Sequence, residues 1–533
     1  MEENKKGIGL GALIALIVSG AIGGGVFNLA NDLAGGATPG AVMVSWVIVG
    51  IGILLLVLSF NHLIVNKPEL SGVSDYARAG FGDLVGFISG WGYWLSGWFG
   101  NIAFAVLLMT SVDFFFPGTF ANKNGSLTFL SIIVVSLVMW GLTLLVSRGI
   151  ESAAVINAIV LIAKLIPLLI FVIAAVISFK AGIFTEHFWE NVTANADMTK
   201  FSFSAMTSSG FLDQFSSSLM VMIWVFVGIE GAAMMGDRAK KKSDAGKATI
   251  LGLISLLVIY VLLSILPYGF MNQETLANVA TPGLINILNA MVGGWGGSLM
   301  AIGLIISLLG AWLSWTMLPI ESTSQLAEQK LLPKWFGKLN KNNSPSNALL
   351  LTAVLMQVFI IMTYFAANAY NVFVYLCTAV IMICYALVGF YLMKTGIQEH
   401  KTANIVIGLL AGAFQIYALW LSGWIFTWAA TIIYVIGFAF FMIAKTENGK
   451  RVSTGNITAS SVIIVLAVLA DIDLLMGWGG DFDIRSGLGI DASSMVVVYL
   501  LTAILIVGII AFIYSVIKNR AIKEDVKHAR YEA

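Results

Sequence analysis

The chain has 533 residues, 59% of them hydrophobic and only 11% charged, with 29 Lys and Arg against 28 Asp and Glu. A soluble chain carries about 25% charged residues, so this composition excludes an ordinary water-soluble enzyme. The net charge of +1 leaves no global excess to argue for nucleic acid as a partner.

The first apolar stretch starts at about 8, behind a charged MEENKK segment, and is too long for a signal-peptide core; it reads as a retained helix. Stretches of spanning length follow at about 38–63, 83–115, 127–147, 154–177, 211–235, 248–270, 293–322, 347–367, 370–393, 403–421, 424–444, 459–476 and 494–517. With the first, they make fourteen predicted spans. Their apolar character is continuous rather than alternating, which selects helices over a closed barrel, and only these two satisfy every backbone group in hydrocarbon.

Orientation follows from the Lys and Arg count. With the N-terminus in the cytoplasm, 24 of the 29 basic residues fall on the inner side, four (Lys123, Lys180, Lys200, Arg485) on the outer side, and Lys164 within span 5. A miscounted span would swap sides for everything downstream, so a bias held to the end of the chain supports an even number with both termini cytoplasmic. Span 13, with Asp471 and Asp473, reads either as a full crossing or as a shorter, partly re-entrant segment. The outer loops are short and polar, and no sizeable extracellular domain is expected. Asn124, Asn191 and Asn456 sit in glycosylation-like triplets, the last on the inner side. Cys377 and Cys384, seven apart in span 10, share a helix face and carry no disulfide framework.

Four glycines near the middle of span 1, Gly20, Gly23, Gly24 and Gly25, weaken the helix. They read either as close helix packing or as an unwound stretch whose amides and carbonyls meet an amino acid's carboxylate and ammonium. Span 6 has a second interruption, where Gly228 and Gly231 bracket Glu230, and spans 1 and 6 each open a group of five. Two broken helices in corresponding positions point to a transporter with a midplane site. Glu230 and Lys164 are costly in hydrocarbon; each reads as a functional group or a structural tie. Trp91, Trp94 and Trp98 form a stripe on span 3, with Gly97 and Asn101 on another face; Trp224 and Trp312 lie deeper and offer faces for a cationic side chain. His62, His187, His400 and His528 lie at span ends or in loops without metal-ligand spacing, and no phosphate-binding glycine loop is visible. Neither an enzyme, a cofactor nor a resident metal is therefore expected, and the polar rings of a channel are not seen.

SGAIGGGVF at 19–27, YWLSGWFGNIAF at 93–104, IWVFVGIEGA at 223–232, and GAWLSWTMLP at 310–319 with LLPKWFGKLNKNNSPSN at 331–347 resemble the amino acid/polyamine/organocation superfamily. Within it the chain is most similar to the basic amino acid/polyamine antiporters, especially bacterial arginine/ornithine antiporters. The resemblance implies an all-α polytopic fold with a five-plus-five inverted repeat over residues 8–177 and 211–393 of a 1–395 core, peripheral spans 11 and 12 in 396–446, and two more spans with a basic tail in 447–533. It also implies substrate contacts at Ile22, Gly23, Gly24, Gly25, Gly97, Asn101, Trp224, Trp312 and Cys377, and a gate of Tyr93, Glu230 and Tyr385. Two departures from the similar arginine/agmatine antiporters stand out. Ala21 replaces a substrate-contacting asparagine, and Lys164 resembles the lysine that fills a sodium ion's place in proton-coupled members. The implied activity is electroneutral exchange of external arginine for internal ornithine across a bacterial plasma membrane, feeding an arginine-degrading pathway. The alternatives are histidine/histamine, tyrosine/tyramine or lysine/cadaverine exchange, or proton-coupled uptake of a basic amino acid. The expected partners are these small molecules and the lipid bilayer, with monomer and homodimer both open.

Overall fold

The computed structural model describes residues 10–522 apart from 71, 123–124, 150–152, 196–197, 231–241, 367, 478–482 and 489–494. Among them, ten helices are long and apolar enough to cross a membrane. Three further predicted spans appear as shorter helices. Span 1 is Leu10–Ala21 and Leu29–Ala34 around a break, the first part of span 6 is Ser208–Trp224, and span 9 is Ser346–Met362. The chain is a multi-pass helical membrane protein. Lys5, Lys6, Asn124 and the basic residues 238–241 lie outside the described residues.

Thr402–Glu447 is a single 46-residue helical run in place of two separate spans. At 1.5 Å per residue a straight run would be about twice the thickness of a bilayer core. Its two ends nevertheless meet the same face: Asn404 Nδ2 lies 3.0 Å from His62 Nε2 near the end of span 2, and Lys445 Nζ lies 2.5 Å from Asp83 at the start of span 3. The run therefore folds back through the π-helical turn Leu419–Gly423, so the expected spans 11 and 12 are both present. Spans 2 (Pro39–Asn66) and 3 (Asp83–Asp113) are joined on that face, here called the N-terminal face, by the short helix Val73–Phe81. Gly82, at φ 90°, makes the corner that only glycine adopts readily. Arg78 and Lys445 both pair with Asp83, and Lys67 and Lys401 both pair with Glu399, whose carboxyl is held below its usual range by the Lys401 hydrogen bond.

Span 13 is a continuous helix, Thr454–Met476, capped by Ser453. Asp471 accepts from the Thr502 hydroxyl at 2.8 Å and Asp473 from the Ile484 amide at 2.6 Å, so both carboxylates are satisfied without a re-entrant turn. On the opposite face lie two features with no counterpart in the predicted elements. One is a hairpin, β1 (Glu190–Ala194) with β2 (Phe201–Ala205), in which Asn191 is tied to the Ala205 carbonyl. The other is a pair of helices, Gln273–Ala277 and Gly283–Val292, between spans 7 and 8. The hairpin is anchored to the helices by Gln214, which donates to the Glu190 carbonyl and accepts from the Thr38 amide. Cys377 and Cys384 do share one face of span 10 (Ala369–Gln398), donating to the Ser96 and Ser89 carbonyls of span 3.

Candidate functional site

Between the two helices of span 1 the backbone leaves the α-helical ladder. The Gly23 amide reaches back to the Ala21 carbonyl, and those of Phe27 and Asn28 to Gly24 and Gly25. Span 6 breaks at the same level: after Trp224 the bonds shorten to i→i−3 at the amides of 226, 227 and 229, and Gly228 takes φ 106°. The unwound reading of the glycines in span 1 is therefore the observed one, and close packing accompanies it. A Cβ on Gly25 would fall 2.4 Å from the Trp224 ring, and one on Gly24 2.7 Å from Leu107 and 2.8 Å from Leu308.

The breaks are held by two buried side chains. Lys164 Nζ, from span 5 (Ala153–Ser178), donates to the Ile22 carbonyl at 2.8 Å. The Tyr260 hydroxyl, from span 7 (Lys242–Ile265), lies 2.7 Å from the Val225 carbonyl and 3.2 Å from that of Ala21. Each ties a carbonyl that the helix has released, which a hydrocarbon interior otherwise penalises.

Gly23, Gly24, Gly25, Phe104, Trp224 and Trp315 line a small cavity at the junction of the two breaks. Trp224 Nε1 is buried with no hydrogen-bond partner, as are Trp312 Nε1 and Asn101 Oδ1 nearby. Buried polar atoms left unpaired in this way are costly unless a ligand or water completes them. The Asn101 amide donates to the Thr316 hydroxyl at 3.2 Å, which in turn donates to the Trp312 carbonyl, so spans 3 and 8 (Gly294–Glu328) present these groups together.

Glu230 lies just past the break in span 6, toward the N-terminal face. Its carboxylate accepts a short hydrogen bond from Tyr385 and one of 3.0 Å from the Gly228 amide, and the Tyr93 hydroxyl is directed at the same group. All three are almost fully buried.

The structure thus brings together Ile22, Gly23, Gly24, Gly25, Trp224 and Lys164 at the breaks, and Tyr93, Glu230 and Tyr385 beside them. Gly97 belongs elsewhere: a Cβ there would meet Pro319 of span 8 at 2.1 Å, so this glycine serves helix packing. Gly100, one turn on, makes the close approach, with Trp224 3.1 Å and Cys377 Sγ 3.6 Å from the Cβ position. Cys377 therefore touches the far edge of the Trp224 environment rather than the cavity wall. Sequence reasoning missed Phe104, Trp315 and Tyr260. The first two stood inside motifs already singled out, whereas Tyr260 carried no local signal. Among the described residues no group of His, Cys, Asp and Glu is placed to hold a metal ion.

Two discontinuous helices meeting at a buried cavity, inside a helical multi-pass bundle, define a membrane carrier of small solutes. A family profile described as amino acid permease matches residues 8–469. The chain is 64% identical over 531 residues to the arginine/ornithine antiporter ArcD1 of Lactococcus lactis subsp. cremoris, covering 99% of each. It is 37% identical to the arginine/ornithine antiporter of Pseudomonas aeruginosa, over 85% of this chain and 94% of that one. It is 36% identical to the arginine/agmatine antiporter of Chlamydia felis, over 88% and 97%. The chain belongs to the amino acid permease family, and these relatives are named as transporters, not enzymes.

Proposed function

We propose that this protein exchanges external arginine for internal ornithine by alternating access in a bacterial plasma membrane, with both termini in the cytoplasm. The observation that carries the reading is the junction of the two breaks, where released backbone groups lie against the unpartnered edge of Trp224. An amino acid's carboxylate takes the amides of Gly24 and Gly25 and its ammonium the neighbouring carbonyls, while its cationic side chain lies along Trp224 and reaches Asn101 and Trp312. Tyr93, Glu230 and Tyr385 form the cytoplasmic gate. Spans 1–10 act as two inverted halves around this point. The relatives' names support the substrate pair.

Both ligands carry one positive charge, so one-for-one exchange moves no net charge and needs no ion gradient. The test uses purified protein in liposomes, with and without internal ornithine, at imposed potentials of both signs. Labelled arginine enters only when ornithine is inside, and its rate ignores the potential. Uptake into empty vesicles that follows the potential or a proton gradient overturns exchange in favour of uniport or symport.

A further inference from the structure

We propose that Asp32 is the residue that selects cationic substrates on the outer side of the cavity, receiving the incoming side chain before it reaches Trp224. The inference rests on the exchange reading and on its orientation. It concerns an acidic residue on the side of the cavity opposite Glu230.

Asp32 lies in the short helix Leu29–Ala34, about two turns past Gly25. Its neighbours Asn31, Leu33 and Ala34 are buried, whereas Asp32 itself is only half-buried. The carboxylate is positioned rather than loose. Asn28 Oδ1 accepts from the Gly283 amide at 3.0 Å, which fixes the amide so that its Nδ2 donates to Asp32 at 2.6 Å. Across the gap, at the start of span 10, the Asn371 amide lies within hydrogen-bonding reach of the same carboxylate. Tyr370 and Tyr375 lie close enough to feel its charge. Tyr370 also adjoins the Trp224 indole, so Asp32 and the cavity share a wall.

No Lys or Arg among the described residues pairs with Asp32. A carboxylate at membrane depth without a counter-ion is unfavourable, and natural proteins place one there for a cation that comes and goes. A guanidinium or ammonium on the substrate completes it. The buried Asn371 Oδ1, which has no partner, adds a second acceptor beside the carboxylate. An acid with two tyrosines close by thus lies on either side of the breaks: Asp32 with Tyr370 and Tyr375, and Glu230 with Tyr93 and Tyr385. The inner acid already has a tyrosine hydroxyl bonded to it, whereas the outer one is held by side-chain amides alone.

The test is Asp32→Asn in the full chain, expressed in cells lacking other arginine carriers, with arginine and its neutral isostere citrulline as external substrates. The half-saturation concentration for external arginine should rise roughly tenfold or more. The preference for arginine over citrulline should fall by a similar factor. Asp32→Glu should restore most of the preference. In vesicles, the half-saturation for ornithine presented from the cytoplasmic side should change little. An Asp32→Asn protein that keeps both the arginine half-saturation and the discrimination overturns the assignment alone. Equal losses for arginine and citrulline, or equal losses from both sides, would make Asp32 a structural residue. A wild-type protein that fails to exchange arginine overturns the exchange reading and this inference with it.

Discussion

Spans 3 and 14 are both long enough to cross a bilayer, yet they live in different solvents. In its most apolar stretch, span 3 is 94% buried, while span 14 (Met495–Arg520) is 33% buried. Span 3 is also the less apolar of the two. In a membrane the outer helices must be apolar because lipid surrounds them, whereas an inner helix is surrounded by protein and is free to carry glycines, tryptophans and an asparagine. Trp91, Trp94 and Trp98 pack along span 3 with tilted rings whose centroids lie 4.4 and 6.0 Å apart, and Trp94 donates to Thr352 at 2.9 Å. On span 14, Ile510 and Tyr514 are about two-thirds exposed. Apolarity finds the spans; departures from it locate the centre.

That contrast can be broken at the centre or at the rim. The largest effect is expected from Gly25→Ala, whose methyl would collide with Trp224: exchange should fall by ~10–100-fold at normal expression. A variant that exchanges normally would show that the break is not tightly packed around its ligand. Next, Trp224→Leu should raise the half-saturation concentration for a cationic substrate about tenfold, and unchanged kinetics would remove this ring from the site. Lys164→Ala should abolish any pH dependence of net uptake. A pH profile that survives would leave Lys164 as a tie for the Ile22 carbonyl. Toward the rim, Thr502→Val removes one hydrogen bond to Asp471 and should cost about 1 kcal/mol of stability, read as a small drop in melting temperature with exchange intact. Ile510→Ala should change neither measurably; a strong effect would mean that this face of span 14 meets protein rather than lipid.

The fourteen spans and both breaks were legible because hydrophobic length and clustered glycines are local signals. Glu230 was legible as an acid in an apolar span, but its clustering with Tyr93 and Tyr385 was legible only through resemblance, since the three come from three spans. Gly97 and Gly100 show the limit. Both lie on span 3, three residues apart, and only the packing of Pro319 and Trp224 against them separates a packing glycine from a site glycine. Asp32 was overlooked because it lies at the edge of a stretch read as apolar, where a single acid resembles a span end. The hairpin and the helices of 273–292 were missed because loops between spans are shaped by the helices beneath them, not by their own periodicity.

Tyr260 offers one hydroxyl proton to two carbonyls, Ala21 on span 1 and Val225 on span 6. A single proton shared by two acceptors behaves as a yoke. Swinging either broken helix alone breaks one of these two bonds, while swinging both together leaves the arrangement intact. The two discontinuous helices are therefore harnessed to travel as a pair, and the sharing of that proton is a gauge of how far they have parted.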